Sequence, residues 1–117
     1  MNKICMVCSK KNDNAKLHRL ELILNTLEQG GIRKAPLNGR REHLLWGSRM
    51  HCRYGIACPQ LEQTESRCRS LENRIEGYFE PLFMSKNEAL FRKILRLMQG
   101  YFPDVYRYLE REWRKRV

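Results

Sequence analysis

Four arginines, Arg40, Arg41, Arg49 and Arg53, share the stretch from Arg40 to Pro59 with Trp46, Tyr54, His43, His51, Cys52 and Cys58. Guanidinium groups pair with phosphate oxygens in a planar fork, and an indole or phenol ring can stack on a base. Just upstream, Arg33 and Lys34 sit in a Gly- and Pro-containing connection (residues 30–41, GGIRKAPLNGRR). Such a basic loop, with free backbone N–H groups, suits a phosphate backbone or an acidic protein groove. At the far end, Arg114, Lys115 and Arg116 form a second basic cluster. It reads equally as stabilisation of a helix C-terminus and as a nucleic-acid contact. For Trp46 itself the spacing favours a place in the core.

The second chemistry is thiolate. Cys5 and Cys8 have the two-residue separation that lets both sulfurs reach one ion from a tight turn. Cys52 and Cys58, with His51 as a substitute, could complete a Zn2+ site that ties the N-terminus to the middle of the chain. The other reading is that Cys5 and Cys8 are small buried hydrophobes. Cys68 is left out, because its helix buries it. Five cysteines without a signal-peptide pattern favour reduced thiols over a disulfide framework and, with no apolar run of membrane length, a cytoplasmic protein.

Catalytic patterns are absent. There is no Gly-rich phosphate loop, no Ser elbow and no metalloprotease helix, and His18, His43 and His51 have no nearby Asp. Glu42 and His43 are adjacent, so a helix would point them apart. The expectation is a protein that is not an enzyme and acts by binding. A zinc-dependent enzyme is the remote third option.

The net charge of +10 on 117 residues is unevenly placed. Residues 1–58 carry 11 basic and 4 acidic side chains, residues 59–85 carry 3 and 5, and residues 86–117 carry 9 and 4. Two basic ends flank an acidic-leaning middle, a field that favours phosphate backbones, acidic protein surfaces or anionic membrane over a merely solvated surface.

The elements that would position these groups are helical. Residues 15–29 repeat Leu17, Leu20, Leu24 and Leu27 on one stripe, widened by Leu22 and Ile23, with His18 beside it. Asn14 can cap the start and Gly30-Gly31 the end. Residues 42–54, with Leu44, Leu45, Trp46 and Met50, predict a short helix weakened at Gly47 and ended by Gly55. Residues 59–78 start on Pro59 and carry a heptad seam of Leu61, Thr64, Cys68, Leu71, Ile75 and Tyr78. It should pack internally, with a homodimer through this helix as the alternative. Residues 79–85 read as an apolar turn that drops Phe79, Leu82, Phe83 and Met84 into the core. Ser85 with Glu88 makes a capping box for a helix over 86–99, whose apolar face is Leu90, Phe91, Ile94, Leu95 and Met98. Pro103 opens the last helix, lined by Val105, Leu109 and Trp113. The expected fold is all-α, a small bundle of about five helices. Residues 1–58 are expected as a basic helical segment able to hold a zinc knuckle, and 59–117 as a helical bundle segment, together one domain.

Two stretches resemble a known family. Leu44-Leu45-Trp46-Gly47 followed by Arg49 and Arg53 looks like the Trp-Gly segment of lambdoid-phage Q late-gene antiterminators. Asn87 to Trp113 is similar in pattern to the helical pair that follows in that family, and the resemblance spans about two-thirds of the chain. It implies a phage or prophage transcription regulator that binds DNA and RNA polymerase. In the family, a half resembling a sigma-factor promoter-reading domain lies beyond the matched stretch. The alternative is a phage-encoded inhibitor of a host nucleic-acid machine, such as an anti-CRISPR or polymerase inhibitor.

Overall fold

A computed structural model describes residues 15–35, 46–47 and 58–116. These residues contain five helices and no strand: α1 (Ala15–Gln29), α2 (Pro59–Glu76), α3 (Phe79–Ser85), α4 (Glu88–Met98) and α5 (Pro103–Arg116). The all-α class is as expected, but the set of helices differs from the one outlined by periodicity.

In α1 the stripe is buried as the spacing predicts, with Ile23 and Thr26 beside it. Leu22 does not widen that face and is 47% exposed. It stands two residues from both Leu20 and Leu24, a separation that turns a helical side chain away from its neighbours. Thr26 escapes the usual cost of a buried hydroxyl by donating to the Leu22 carbonyl at 2.7 Å. The helix closes in a Schellman motif. Ile32 N–H donates to the Leu27 carbonyl and Gly31 N–H to that of Glu28, with Gly31 at φ +78°. Gly30 has a different task. A Cβ there would lie 2.7 Å from Leu90 Cδ2, so the end of α1 approaches α4 as closely as a glycine allows.

Trp46 and Gly47 are not helical, and Gly47 has φ +69°. This corrects the continuous helix expected over 42–54, because a left-handed residue breaks the ladder at its centre. Trp46 is nonetheless buried, 5% exposed. Its ring stacks on Phe79 (centroids 6.0 Å apart) and meets Phe102 edge-on at 5.3 Å, and Nε1–H donates to Glu76 Oε1 at 2.7 Å. The Lys16 ammonium donates to the Gly47 carbonyl. Gly55 and the remainder of 42–54 lie outside the described residues, as does the capping residue Asn14.

Helix α2 begins with Cys58 as N-cap in extended backbone and Pro59 in the first turn. It packs along α1. Within the seam Cys68, Ile75 and Tyr78 are buried, whereas Leu61, Thr64 and Leu71 are half-buried. The seam is thus used inside the domain. Arg67 and Arg74 of α2 reach Glu21 and Glu28 of α1 at 3.8 and 3.9 Å along its edge. The helix stops at Glu76, two residues before the expected end, and Tyr78 N–H turns back to the Ile75 carbonyl.

The apolar turn at 79–85 is itself a helix, α3. Phe79, Leu82 and Phe83, at i, i+3 and i+4, are buried on one face. Met84 follows Phe83 directly, faces the other way and is 70% exposed, which corrects its assignment to the core. Lys86, at φ 54°, closes the helix. Asn87, not Ser85, then caps α4, its side chain accepting from Leu90 N–H at 3.2 Å. Ser85 Oγ instead donates to the Leu82 carbonyl and accepts from Asn87 N–H, bracing the turn between α3 and α4.

All five apolar residues named for α4 are buried. Helix α4 packs on both α1 and α5. From α5, Val105 and Leu109 enter the core, and Trp113 is half-buried with its ring stacked on Phe91 at 4.2 Å and 11°. Phe102, in the link between α4 and α5, is fully buried. One continuous apolar cluster therefore joins all five helices and Trp46.

Candidate nucleic-acid interface

Arg33 and Lys34 are exposed on the connection that leaves α1. That connection is held down where Ala35 N–H donates to the Gly77 carbonyl at 2.9 Å. The aliphatic stem of Lys34 lies over Gly77, close enough that a Cβ there would meet it at 2.9 Å. The stem covers backbone and its ammonium stays in water. Arg40, Arg41, Arg49 and Arg53, the remaining members of the predicted cluster, lie outside the described residues, together with Tyr54, His43 and His51.

Of the proposed metal ligands only Cys58 is described. It is 3% exposed, and its thiol lies 3.9 Å from Gln60 Oε1. Cys5, Cys8 and Cys52 lie outside the described residues. Among the described residues no three of His, Cys, Asp and Glu come close enough together to hold a metal ion. Cys68 is fully buried, and burial pushes its thiol up from 9.0 to about 11, with the nearby Glu72 carboxylate adding to the rise. At neutral pH it is a packed thiol and not a nucleophile.

The C-terminal basic cluster is partly consumed by the fold. Arg116 makes a two-pronged pair with Glu80 of α3, Nη1 to Oε1 at 2.9 Å and Nη2 to Oε2 at 3.1 Å. Its guanidinium also lies over the Phe83 ring, 4.8 Å from the centroid. It therefore ties α5 to α3. Arg114 and Lys115 point outward, each near a carboxylate of its own helix, Glu110 at 3.6 Å and Glu112 at 3.5 Å.

A larger basic surface surrounds Arg114. Arg107, Arg111 and Arg114 recur at i, i+4 and i+7 along the outer face of α5 and, with Glu110 and Lys115, line a shallow depression. A second depression lies between α4 and α5, lined by Arg92, Leu95, Arg96, Gln99 and Tyr106. Tyr106 and Glu110 are one turn apart, so the two depressions adjoin. Arg92 pairs with Glu88 at 2.8 Å and Arg107 with Asp104 at 3.7 Å, both exposed pairs of small energetic weight. Arg111 reaches over the Tyr108 ring at 5.8 Å. The positive charge of the described helices is concentrated here. Helix α4 carries three cations against one carboxylate and α5 five against three, whereas α2 carries three against four. The helical spacing of Arg107, Arg111 and Arg114 is the sequence signal that locates this face.

No helix among the described residues is long and apolar enough to cross a membrane. Compared with protein-family models, with curated proteins and with solved structures, the chain matches none of them.

Proposed function

We propose that this protein acts by binding, as a basic helical regulator that contacts nucleic acid and an associated machine such as RNA polymerase, in the manner of the Q-type antiterminators it resembles. The observation that carries the reading is charge: +10 on 117 residues, gathered at the two ends of the chain with the middle helix left acidic. A field of this sign and density draws in a phosphate backbone and makes the association strongly salt-dependent. In this reading Arg33, Lys34, Arg40, Arg41, Arg49 and Arg53 are the contact set, extended by Arg114 and Lys115. Trp46 secures the segment to the core instead of stacking on a base. The experiment is duplex-DNA binding at graded salt, comparing the protein with a charge-reversed Arg40/Arg41/Arg49/Arg53 variant. Unchanged affinity in the variant removes this cluster from the reading.

A second reading, a protein inhibitor of a host nucleic-acid machine such as a CRISPR effector, is favoured by one observation. Arg67, Arg69, Arg74, Arg92, Arg107, Arg114 and Arg116 each already have a carboxylate within 4 Å. A mixed-charge surface of that kind suits a protein partner as well as a polyanion. Pull-down from a nuclease-treated bacterial lysate separates the two. Recovery of RNA polymerase favours the regulator, and recovery of a CRISPR effector favours the inhibitor.

A further inference from the structure

We infer that the groove between α4 and α5 is a seat for a single-stranded polynucleotide, with Arg92 and Arg96 tracking the phosphates and Tyr106 and Leu95 meeting a base. The inference rests on the nucleic-acid half of the function proposed above and adds a contact surface in a different part of the molecule.

Three observations carry it. Among the described residues no carboxylate lines this groove; its walls are two guanidinium groups and an amide, and its floor is Leu95 with the Tyr106 ring. That combination of cation, ring and hydrogen-bonding amide is what a strand with unpaired bases requires. A duplex presents phosphates and groove edges but no open base face, so an apolar and aromatic floor has no counterpart on it. Arg96 and the neighbouring Lys93 make no ion pair among the described residues. Among the described residues Arg92 pairs with its exposed i, i+4 neighbour Glu88, a contact weak enough to yield to phosphate.

The groove is also formed before any ligand binds. Its two walls are fixed to one another by the Phe91–Trp113 stack, and α5 is pinned at its end by Arg116 on Glu80. Leu95 is 9% exposed and anchored in the core, and Tyr106 is half-buried, so the floor is in place before any strand arrives. Gln99 at the end of α4 supplies a donor and an acceptor to a base edge. The outer ridge of Arg107, Arg111 and Arg114 continues the path past Glu110, with Asp104 beside Arg107 at its near end, and allows the backbone to run on along α5.

The test uses the full chain and a fluorescein-labelled 15-nucleotide thymidine strand, read by anisotropy over a range of salt, beside a duplex of equal length. The strand is expected to bind more tightly than the duplex. Arg92→Gln/Arg96→Gln lowers the slope of log affinity against log salt by about 1.4, two single-strand phosphate contacts. Tyr106→Leu weakens binding roughly tenfold, while Tyr106→Phe retains it, because the ring and not the hydroxyl is used. If these variants bind as the parent does while Arg40→Gln/Arg41→Gln loses affinity, the proposed function stands and the groove is not its seat. Preference for the duplex overturns the single-strand assignment. Failure of the parent protein to bind any polynucleotide removes the nucleic-acid function and this inference together.

Discussion

Replacing Trp46 with alanine should unfold much of this protein at moderate denaturant, although Trp46 belongs to none of its described helices. The indole is 5% exposed, lies against Phe79 and Phe102, and donates to Glu76. Truncating a buried aromatic ring costs about 3–5 kcal/mol through lost transfer energy and the cavity left behind. Against a total stability of about 5–15 kcal/mol that is a large share. With a urea m-value of about 1.5 kcal/mol/M, the midpoint should fall by about 2–3 M at unchanged slope. Trp46→Phe separates the two parts of the anchor. It keeps a ring for Phe102 to meet edge-on and deletes only the N–H donor and the larger ring's excess area, for about 1–2 kcal/mol. The assay is far-ultraviolet circular dichroism in urea, which follows the helices and is indifferent to the loss of one fluorophore. A Trp46→Ala midpoint within about 0.3 M of the parent would refute the claim that Trp46 completes the core.

Other consequences are more local. Cys68 should resist a thiol reagent in the native state at pH 8 and react on unfolding, since it is fully buried and its thiol is pushed up to about 11. The sign for stability follows directly. The unfolded thiol loses its proton first, so stability is intact below about pH 9 and falls by about 1–3 kcal/mol between pH 9 and 11, a step that Cys68→Ala should abolish. Asn87→Ala should cost about 1 kcal/mol of thermal or urea stability as a lost N-cap. Ser85→Ala should cost less, and the reverse order would mean that Ser85 is the cap after all. Glu80→Ala and Arg116→Ala should each cost at most about 1 kcal/mol, because Glu80 is 61% exposed, and a double-mutant cycle should show the coupling fade in high salt.

How much of this was legible beforehand depends on the range over which each signal acts. The stripe Leu17, Leu20, Leu24 and Leu27, the run Leu90 to Met98, and Pro59 and Pro103 at helix starts are local patterns, and the helices they mark are present. Residues 79–85 span only two turns, too few for a period to register, so a helix there reads as an apolar turn. Met84 and Leu22 are apolar by type but face outward by angle, and composition cannot tell the two apart. Trp46 shows the opposite limit. Its burial was foreseeable from its ring, yet its neighbour Gly47 takes a left-handed conformation that the flanking leucines conceal. Glu72 is 6% exposed, although it is one residue off the heptad seam, because it lies one turn beyond Cys68 on the face that α1 covers. For the interface, charge density points to Arg33–Arg53, whereas the α4–α5 groove depends on two helices being brought side by side. Only tertiary structure assembles Arg92, Arg96 and Tyr106.

The adjacent glycines that end α1 are alike in sequence and required for different reasons. Gly31, at φ +78° with nothing within 4 Å of an added L-configured Cβ, is required by handedness alone; a D-amino acid adopts that φ without backbone strain and would narrow the unfolded ensemble. Gly30 is required by volume, since any side chain built there collides with Leu90. Chemical synthesis with D-alanine at position 31 should therefore stabilise the fold by about 0.4–1 kcal/mol. L-alanine at position 30 would act as a wedge between α1 and α4, and so shift one wall of the groove that Arg92 and Arg96 form.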